Sequence, residues 1–414
     1  MLRVAIYQAR DGMVVAMPVL HPRRPEVVLL RPGAVLDPHT IAKMREIGLH
    51  EVWVKYPRLD RLNDYFSPGV VQACSIVTGQ IRTALDSVIA NAHARLDYVS
   101  YRRAVSGLLE KFCERPKAAM FVHELGDGTS AALRHASNVC LLSVLMGIKL
   151  DFYLIHERIR LSASTAKDVS NLGVGAMLHD VGMLRLPQAV REHWEKTEDD
   201  SDPAFREHTQ IGYDLVREQI EPSAAAVVLH HHQAFDGTGF PAKHEEGGAP
   251  KGQEIHVFAR IVAGADLFTR IRNRKGPNGE PMPTVRALKL IQTPEYARRL
   301  DPMILKAILN VVPAYSPGTI VTLSNGHECV VTQWSVDNPC RPVVEELMPP
   351  GRSGEPEVFD LRTIPELSIV RAEGCAVADD NFAPPKPHAY DMMHGWNVPG
   401  NRADELLKQL RKAS

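Results

Sequence analysis

The stretch Met177-Leu-His179-Asp180-Val-Gly182-Met183 decides the fold, because it sets an imidazole beside a carboxylate at the end of an apolar segment. The residues from Leu172 onward are mostly apolar, so the sequence predicts a buried helix that ends near Gly182. Adjacent residues on a helix project about 100° apart, so this pair can offer one nitrogen and one oxygen to an interior site. A buried carboxylate requires a cation beside it, and the two oxygens of Asp180 could bridge two metal ions.

Other predicted helices carry further ligand-type side chains. An almost wholly apolar run from Ala224 to Leu229 leads into three consecutive histidines, an ending that packing alone rarely explains. Apolar residues at helical spacing from Val257 to Ala265 put Asp266 on or beside an inward face, and a similar stripe lies next to His135. The predicted ligands are His135, His179, Asp180, His208, His231, His232 and Asp266. This set is too large for one tetrahedral zinc, so the sequence predicts a two-metal site.

The motifs resemble those of the HD-GYP family, HD-superfamily phosphodiesterases that open cyclic di-GMP, over roughly residues 129 to 313. The family's HDxGK corresponds to His179-Asp180-Val-Gly182-Met183. Its HHE and DGxGYP correspond to His231-His232-Gln233 and to a motif loop formed by Asp236, Gly237, Thr238, Gly239, Phe240 and Pro241. This register makes His230 the extra histidine and equates His208 and Asp266 with the family's lone histidine and closing aspartate.

The resemblance implies hydrolysis of cyclic di-GMP to linear pGpG or to GMP, with His179 and Asp180 at the catalytic centre. It also implies two divalent metal ions. Iron or manganese is favoured over zinc, nickel or magnesium, because the ligands mix imidazole with carboxylate. Some family members hold a third ion through a glutamate one helical turn before the first histidine. Ala131 stands at that position here, so two ions are expected.

Three positions depart from the family pattern, which has lysine at Met183, glutamate at Gln233 and tyrosine at Phe240. Methionine offers no charge to a substrate phosphate, so attenuated activity is expected. The cations that could substitute are Arg185, Arg270, Arg274 and Lys275. Two other functions stay open: a receptor for cyclic di-GMP or scaffold for a GGDEF protein, and a hydrolase of another cyclic dinucleotide or nucleotide phosphate.

Composition narrows the class of protein. The chain has 414 residues, and 48 Lys and Arg balance 49 Asp and Glu, so no electrostatic footprint for a nucleic-acid polymer or a membrane is present. Six scattered cysteines without a CxxC pair indicate a reducing compartment. With no signal peptide pattern and no long apolar span, the sequence predicts a soluble cytoplasmic protein.

The predicted fold class is mainly α: a helical HD-type metal-dependent phosphohydrolase bundle flanked by a small N-terminal α/β module and a small C-terminal β-extension. The predicted ranges are 1–60 for the strand-rich module, 61–125 for linking amphipathic helices, 126–313 for the catalytic domain, 314–375 for the β-extension and 376–414 for a tail with a short helix. The linking helices could form a signalling stalk, a homodimer interface or part of the bundle. The charged segments 151–167 and 192–202 are predicted to be solvated.

Overall fold

The computed structural model of the chain describes residues 2–6, 9–21, 24–47, 49, 51–55, 60–65, 67–91, 94–119, 130–242, 248–274, 282–347 and 354–383. Helices dominate the centre of the chain and strands lie near its two ends. The predicted fold class is therefore confirmed. The short helix predicted within 376–414, around Leu406 to Leu410, lies outside the described residues.

Fifteen α-helices are present in the described part of the chain. The helices are α1 (Pro38–Glu46), α2 (Pro68–Ala90), α3 (Tyr98–Glu114), α4 (Pro116–Ala119), α5 (Ala131–Lys149), α6 (Asp151–Glu157), α7 (Ala163–Ala166), α8 (Ser170–Leu178), α9 (Gln188–Thr197), α10 (Pro203–Val216), α11 (Pro222–His230), α12 (Val257–Asn273), α13 (Thr284–Ile291), α14 (Pro294–Ala297) and α15 (Pro302–Val311). Short 3-10 helices span Asp60–Tyr65, Val181–Arg185, Gly252–Glu254 and Ala378–Asp380.

The centre of the bundle is α8, which packs against α5 on one side and α11 on another, while α12 packs against α5. All but one of the residues of α8 are buried, which explains why its sequence is apolar on every face rather than on one stripe. Side-chain caps begin the neighbouring helices: Ser130 accepts a hydrogen bond from the amide of Leu133, and Asp202 accepts one from the amide of Ala204.

Two amphipathic helices, α2 and α3, pack on each other and on the bundle, with α2 against α5 and α3 against α8. Their buried residues, which include Val77, Ile81 and Leu108, belong to the same hydrophobic cluster as the central helices. Of the three arrangements left open by the sequence, the structure therefore shows integration into the bundle.

The strands form separate small sheets. The N-terminal strands are β1 (Leu2–Ala5), β2 (Val14–Val15), β3 (Val19–His21), β4 (Arg24–Leu30) and β5 (Glu51–Lys55). They form a three-stranded sheet in the order β1-β5-β2 and a β3-β4 hairpin. The C-terminal strands are β6 (Ile320–Leu323), β7 (Glu328–Gln333), β8 (Val343–Glu346), β9 (Val358–Asp360), β10 (Ile369–Ala372) and β11 (Cys375–Ala376). They form an antiparallel sheet in the order β11-β10-β6-β7-β8-β9.

The N-terminal module packs against the C-terminal sheet. Val330 of β7 belongs to the hydrophobic cluster that includes Val4 and Leu36 of the N-terminal module. At the edge of this contact, the guanidinium of Arg10 lies 3.7 Å from the carboxylate of Glu328. The two ends of the chain thus share a core, although they are separated in sequence by the whole helical bundle.

Two features differ from the sequence-based expectations. Helix α5 is long and apolar enough to cross a membrane, but 67% of its most apolar window is buried inside the protein. The segment 151–167 forms α6 and α7 instead of a wholly solvated connection. The side chain of Glu157 is buried against Arg260, and the positive charge of the guanidinium offsets the cost of removing the carboxylate from water.

Candidate metal centre

The structure brings all seven predicted ligands to one place in the bundle. His135 lies one turn into α5, His208 in the middle of α10, and Asp266 in the middle of α12. His179 ends α8 and is followed by Asp180, while His231 and His232 follow α11. The potential ligand atoms form two groups: Asp180 with His208, His231 and His232, and Asp180 with His135 and His179.

Asp180 belongs to both groups because its two oxygens face opposite sets of imidazoles. Oδ1 lies 3.3 Å from Nε2 of His231 and 3.5 Å from Nε2 of His208. Oδ2 lies 3.4 Å from Nε2 of His179 and 3.8 Å from Nε2 of His135. A carboxylate in this position can give one oxygen to each of two cations.

Three of the histidines have the same backbone contact. Nδ1 of His179, His208 and His231 each lies 2.6 to 2.9 Å from the carbonyl oxygen of the residue three positions earlier. A carbonyl only accepts, so each Nδ1 donates its proton, and Nε2 is the ring atom that can bind a metal. Nε2 of His135 and Nε2 of His179 are buried, and neither makes a well-aligned hydrogen bond in the described part of the chain. Each instead faces a carboxylate oxygen, that of Asp266 at 3.0 Å and that of Asp180 at 3.4 Å. A nitrogen and a carboxylate oxygen that face each other in this way fit as ligands of a divalent metal ion.

Asp266 divides its two oxygens in another way. Oδ1 lies 3.0 Å from Nε2 of His135, and Oδ2 lies 3.1 Å from Nη2 of Arg270, one helical turn along α12. Burial would raise the pKa of Asp266, but the charge of Arg270 and the contact with His135 outweigh burial and hold it far below its usual value. This carboxylate is therefore ionised at neutral pH and available as a ligand.

The pKa values of the other predicted ligands are set by the same two effects, burial of the side chain and the charges of its neighbours. For His208, burial lowers the pKa to about 4, and for His232 burial and the neighbouring His231 lower it well below the usual value. For His179, burial lowers the pKa, but the charge of Asp180 outweighs burial and raises it to about 9. Burial likewise opposes ionisation of Asp180, yet His179 and His231 hold its pKa well below the usual value.

A glycine allows the two halves of the centre to approach each other. A Cβ atom on Gly182 would lie 2.0 Å from the carbonyl oxygen of His208 and 2.6 Å from the amide nitrogen of Gly212. Because backbone atoms would have to move to admit any side chain, only glycine permits the turn after Asp180 to lie against α10. The glycine of the His-Asp motif thus brings His208 close to Asp180.

The motif loop folds back onto the histidines. Phe240 donates its amide proton to the carbonyl of His232, and Gly239 lies so close to this backbone that a Cβ atom would meet the same oxygen at 2.4 Å. Nε2 of Gln233 donates to the carbonyl of Pro241 at 2.6 Å. An ionised glutamate at position 233 could not make this donation. The residue that departs from the family pattern therefore ties the loop to the end of α11.

The start of the motif loop is a local turn. Oδ1 of Asp236 accepts hydrogen bonds from the amide and hydroxyl of Thr238, and Gly237 has a φ of 83°, a left-handed conformation that favours glycine. Arg298 lies 3.6 Å from the other oxygen of Asp236. These contacts account for the turn-forming residues of the motif without a direct role in metal binding.

Met183 packs in an apolar cluster formed by Leu186, Phe205 and Phe240 together with Val190, Trp194 and Ile211. Phe240 is buried, whereas Met183 is half-buried. Two of the three substitutions relative to the family motifs, Met183 and Phe240, thus lie in one cluster between the motif loop and α10.

Three of the four predicted phosphate-binding cations lie in the described part of the chain, and each of these has a protein partner. Arg185 donates to the carbonyl of Asn91. Arg274 contacts Glu198 and the hydroxyl of Tyr296, each at 2.9 Å. Arg270 contacts Asp266, and Lys275 lies outside the described residues.

Sequence reasoning missed one residue near the centre, Asp200, whose Oδ1 lies 3.1 Å from Nη1 of Arg270. It lies in the acidic segment 192–202, for which no catalytic part was expected. The local sequence gives no signal for this contact, since acidic loops are usually solvated.

A helical bundle that gathers five imidazoles around two carboxylates in this way could hold divalent metal ions. The HD domain family matches residues 153–304, a range that contains every predicted ligand except His135. Residues 153–304 therefore resemble an HD domain.

Named relatives extend the match beyond this domain. A cyclic di-GMP phosphodiesterase of Pseudomonas aeruginosa is 25% identical over 336 residues, which cover 73% of this chain and 75% of the relative. The cyclic di-GMP phosphodiesterase response regulator RpfG of Xanthomonas campestris is 29% identical over 44% of this chain and 43% of its own length. A 3'3'-cGAMP-specific phosphodiesterase of Vibrio cholerae is 29% identical over 33% of this chain and 29% of its own length. These relatives confirm the resemblance to HD-GYP phosphodiesterases.

Proposed function

We propose that this protein is a metal-dependent phosphodiesterase that hydrolyses cyclic di-GMP to pGpG or GMP. The observation that carries the proposal is the position of Asp180, whose oxygens each face a separate set of imidazoles. The names of the Pseudomonas and Xanthomonas relatives support the choice of substrate.

The residues of this chain would hold two divalent cations. His135, His179 and Asp266 would hold one, His208, His231 and His232 would hold the other, and Asp180 would contribute to both. When bound, such cations supply Lewis acidity for a phosphodiester and activate water as the nucleophile. The donor set of nitrogen and carboxylate oxygen supports iron or manganese ahead of zinc, nickel or magnesium.

The ligand side chains are preorganised for metal binding. The carbonyl contacts at Nδ1 orient three imidazoles, and the buried positions of the ligands exclude bulk water from their Nε2 atoms. Ionised Asp180 and Asp266 also supply anionic oxygens, which divalent cations favour as ligands. Little reorganisation of the site is then required when the cations bind.

The proposal also covers three further properties of the protein. These are its reduced activity, its cellular compartment and its binding partners. Met183 supplies no cation to a substrate phosphate, so we infer a slower enzyme than one with lysine at that position. Scattered free cysteines favour the cytoplasm. A GGDEF protein is the partner suggested by family resemblance, and a homodimer is compatible with the exposed side chains of α2, among them Ile76 and Ile89.

The test is an assay of purified protein loaded anaerobically with Fe²⁺ or with Mn²⁺. Cyclic di-GMP and 3'3'-cGAMP are supplied in parallel, and the products are separated by chromatography. Asp180→Ala is the matched inactive variant, because it removes the shared ligand and should lose more than half of the bound metal. The proposal is supported if the metal-loaded parent protein cleaves cyclic di-GMP and the Asp180→Ala variant does not.

Two other outcomes would contradict it. Faster cleavage of 3'3'-cGAMP would assign the site to another cyclic dinucleotide, which the name of the Vibrio relative makes a specific alternative. Binding of cyclic di-GMP without cleavage by either loaded form would indicate a receptor.

A further inference from the structure

We propose that Arg270 is a positioning residue of the metal centre, held in place by Asp200, and that it turns Asp266 so that a single oxygen faces the cation beside His135. This inference rests on the proposed two-metal site. It assigns a role to a partly buried ion-pair chain, Asp200–Arg270–Asp266, that extends from the loop after α9 to a proposed metal ligand.

The contact between Arg270 and Asp266 fixes the direction of the carboxylate. Nη2 of Arg270 occupies Oδ2 at 3.1 Å, while Oδ1 points to Nε2 of His135 at 3.0 Å. The guanidinium therefore competes with a metal ion for Oδ2 of Asp266. This competition disfavours chelation of one ion by both oxygens of the carboxylate. A carboxylate released from this contact could rotate about its last torsion, which is broad in aspartate.

The other end of the guanidinium is fixed by the loop. Nη1 of Arg270 lies 3.1 Å from Oδ1 and 3.3 Å from Oδ2 of Asp200. Asp200 is held in turn by the indole of Trp194, which donates to Oδ1, and by Arg206, which donates to its backbone carbonyl at 2.7 Å. The loop thus presents a carboxylate of fixed position to the arginine.

The low solvent exposure of these side chains indicates that the ion pairs are structural contacts within the protein. The side chains of Arg270, Asp266 and Asp200 are 11%, 3% and 23% exposed. The pair between Arg270 and Asp266 has little access to water and is only weakly screened, so the orientation that it imposes on Asp266 persists at physiological salt. A role in orienting a ligand explains why a full positive charge is tolerated beside a cation site.

The experiment measures the two ions separately. Mn²⁺ is titrated calorimetrically into metal-free wild-type protein and the variants Arg270→Met, Arg270→Lys and Asp200→Asn, and bound metal is counted by elemental analysis. Arg270→Met should weaken one of the two binding events by about 10- to 100-fold and leave the other unchanged. Arg270→Lys should recover part of this loss, and Asp200→Asn should show a smaller loss at the same event.

The matched control is Arg299→Met, because Arg299 lies 3.8 Å from the same Asp200 but is 32% exposed. Its two binding events should be unchanged. If Arg270→Met fails to fold, judged by circular dichroism, Arg270→Lys decides, since one ammonium cannot reproduce the two-ended contact of a guanidinium.

Three results would overturn the inference: two unchanged binding events in the folded Arg270 variants, equal weakening of both events, or a raised KM with unchanged metal binding. The last would assign Arg270 to the substrate phosphate. Fewer than two ions in the wild-type protein would instead contradict the proposed function on which the inference rests.

Discussion

The ring of Phe240 is stacked on the imidazole of His232, with centroids 4.6 Å apart and planes 21° from parallel. Phe205 contacts both rings edge-on, and the guanidinium of Arg206 lies 5.1 Å above the ring of Phe240. The aromatic residue of the motif loop therefore forms one wall of the pocket that holds a predicted metal ligand. This contact links the conformation of the loop to the orientation of His232.

Phe240→Tyr should change the turnover of cyclic di-GMP by less than about tenfold, because the ring and its stacking are retained and one hydrogen bond is worth about 1 kcal/mol net. Phe240→Ala removes the stacked ring and should destabilise the protein by about 3 to 5 kcal/mol. Kinetics and urea unfolding measure the two effects. A gain in turnover well beyond tenfold for the tyrosine variant would reveal a catalytic role for the hydroxyl.

His231→Ala should lose one of the two bound ions, whereas His230→Ala should keep both. Nε2 of His231 faces Asp180, and its Nδ1 is held by the carbonyl of Val228. His230 ends α11 outside the ligand cluster, so its loss removes no ligand. Elemental analysis of the two purified variants decides the register, and equal losses would show that the assignment of the histidine pair is wrong.

The sequence was most informative where chemistry constrains single residues. A His-Asp pair at the end of an apolar helix indicates a buried metal site. In the structure this pair lies at the end of α8, as expected. The fold class followed from helical periodicity between strand-rich ends. These features depend on local sequence, so they could be recognised without any knowledge of the tertiary contacts.

Pairings between distant charges could not be predicted in the same way. Glu157 and Arg260 are about 100 positions apart, as are Arg272 and Glu373, and their local sequences resemble solvated segments. Asp200 likewise comes from an acidic loop that has no apolar periodicity. Which carboxylate meets which guanidinium depends on how helices cross, and that information is distributed over the whole core.

Arg260→Met should lower the free energy of unfolding by about 3 to 5 kcal/mol, because it leaves Glu157 and Asp301 buried without their cation. The side chains of these three residues are 3%, 7% and 2% exposed, and Tyr153 also donates to Asp301. Arg102→Met, which removes an exposed pair with Asp168, is the control and should have little effect. Urea unfolding measures both variants, and equal stability would contradict a structural role for the buried network.

Metal loading at pH 7.5 should release about one proton per chain, because a cation needs the Nε2 lone pair of His179. In the metal-free chain the pKa of His179 is raised to about 9, so this imidazole is protonated at pH 7.5, and the affinity should rise with pH up to about 9. His208, with its pKa lowered to about 4, is already neutral and releases none. Calorimetry with Mn²⁺ in buffers of different ionisation enthalpy counts the protons, and a buffer-independent heat would contradict this protonation state.

Met183→Lys should raise the turnover of cyclic di-GMP by roughly 10- to 150-fold, the value of one charge-assisted hydrogen bond of about 1.5 to 3 kcal/mol to a phosphate. Met183 is half-buried beside Leu186 and Phe240, so a lysine stem can keep this apolar packing while its ammonium reaches solvent or substrate. Met183→Leu keeps the packing without the charge and should leave turnover unchanged. Rates at saturating and subsaturating substrate separate catalysis from binding. If both the parent and the lysine variant bind two ions and cyclic di-GMP yet cleave nothing, the missing charge is not what limits this site, and the protein is a receptor.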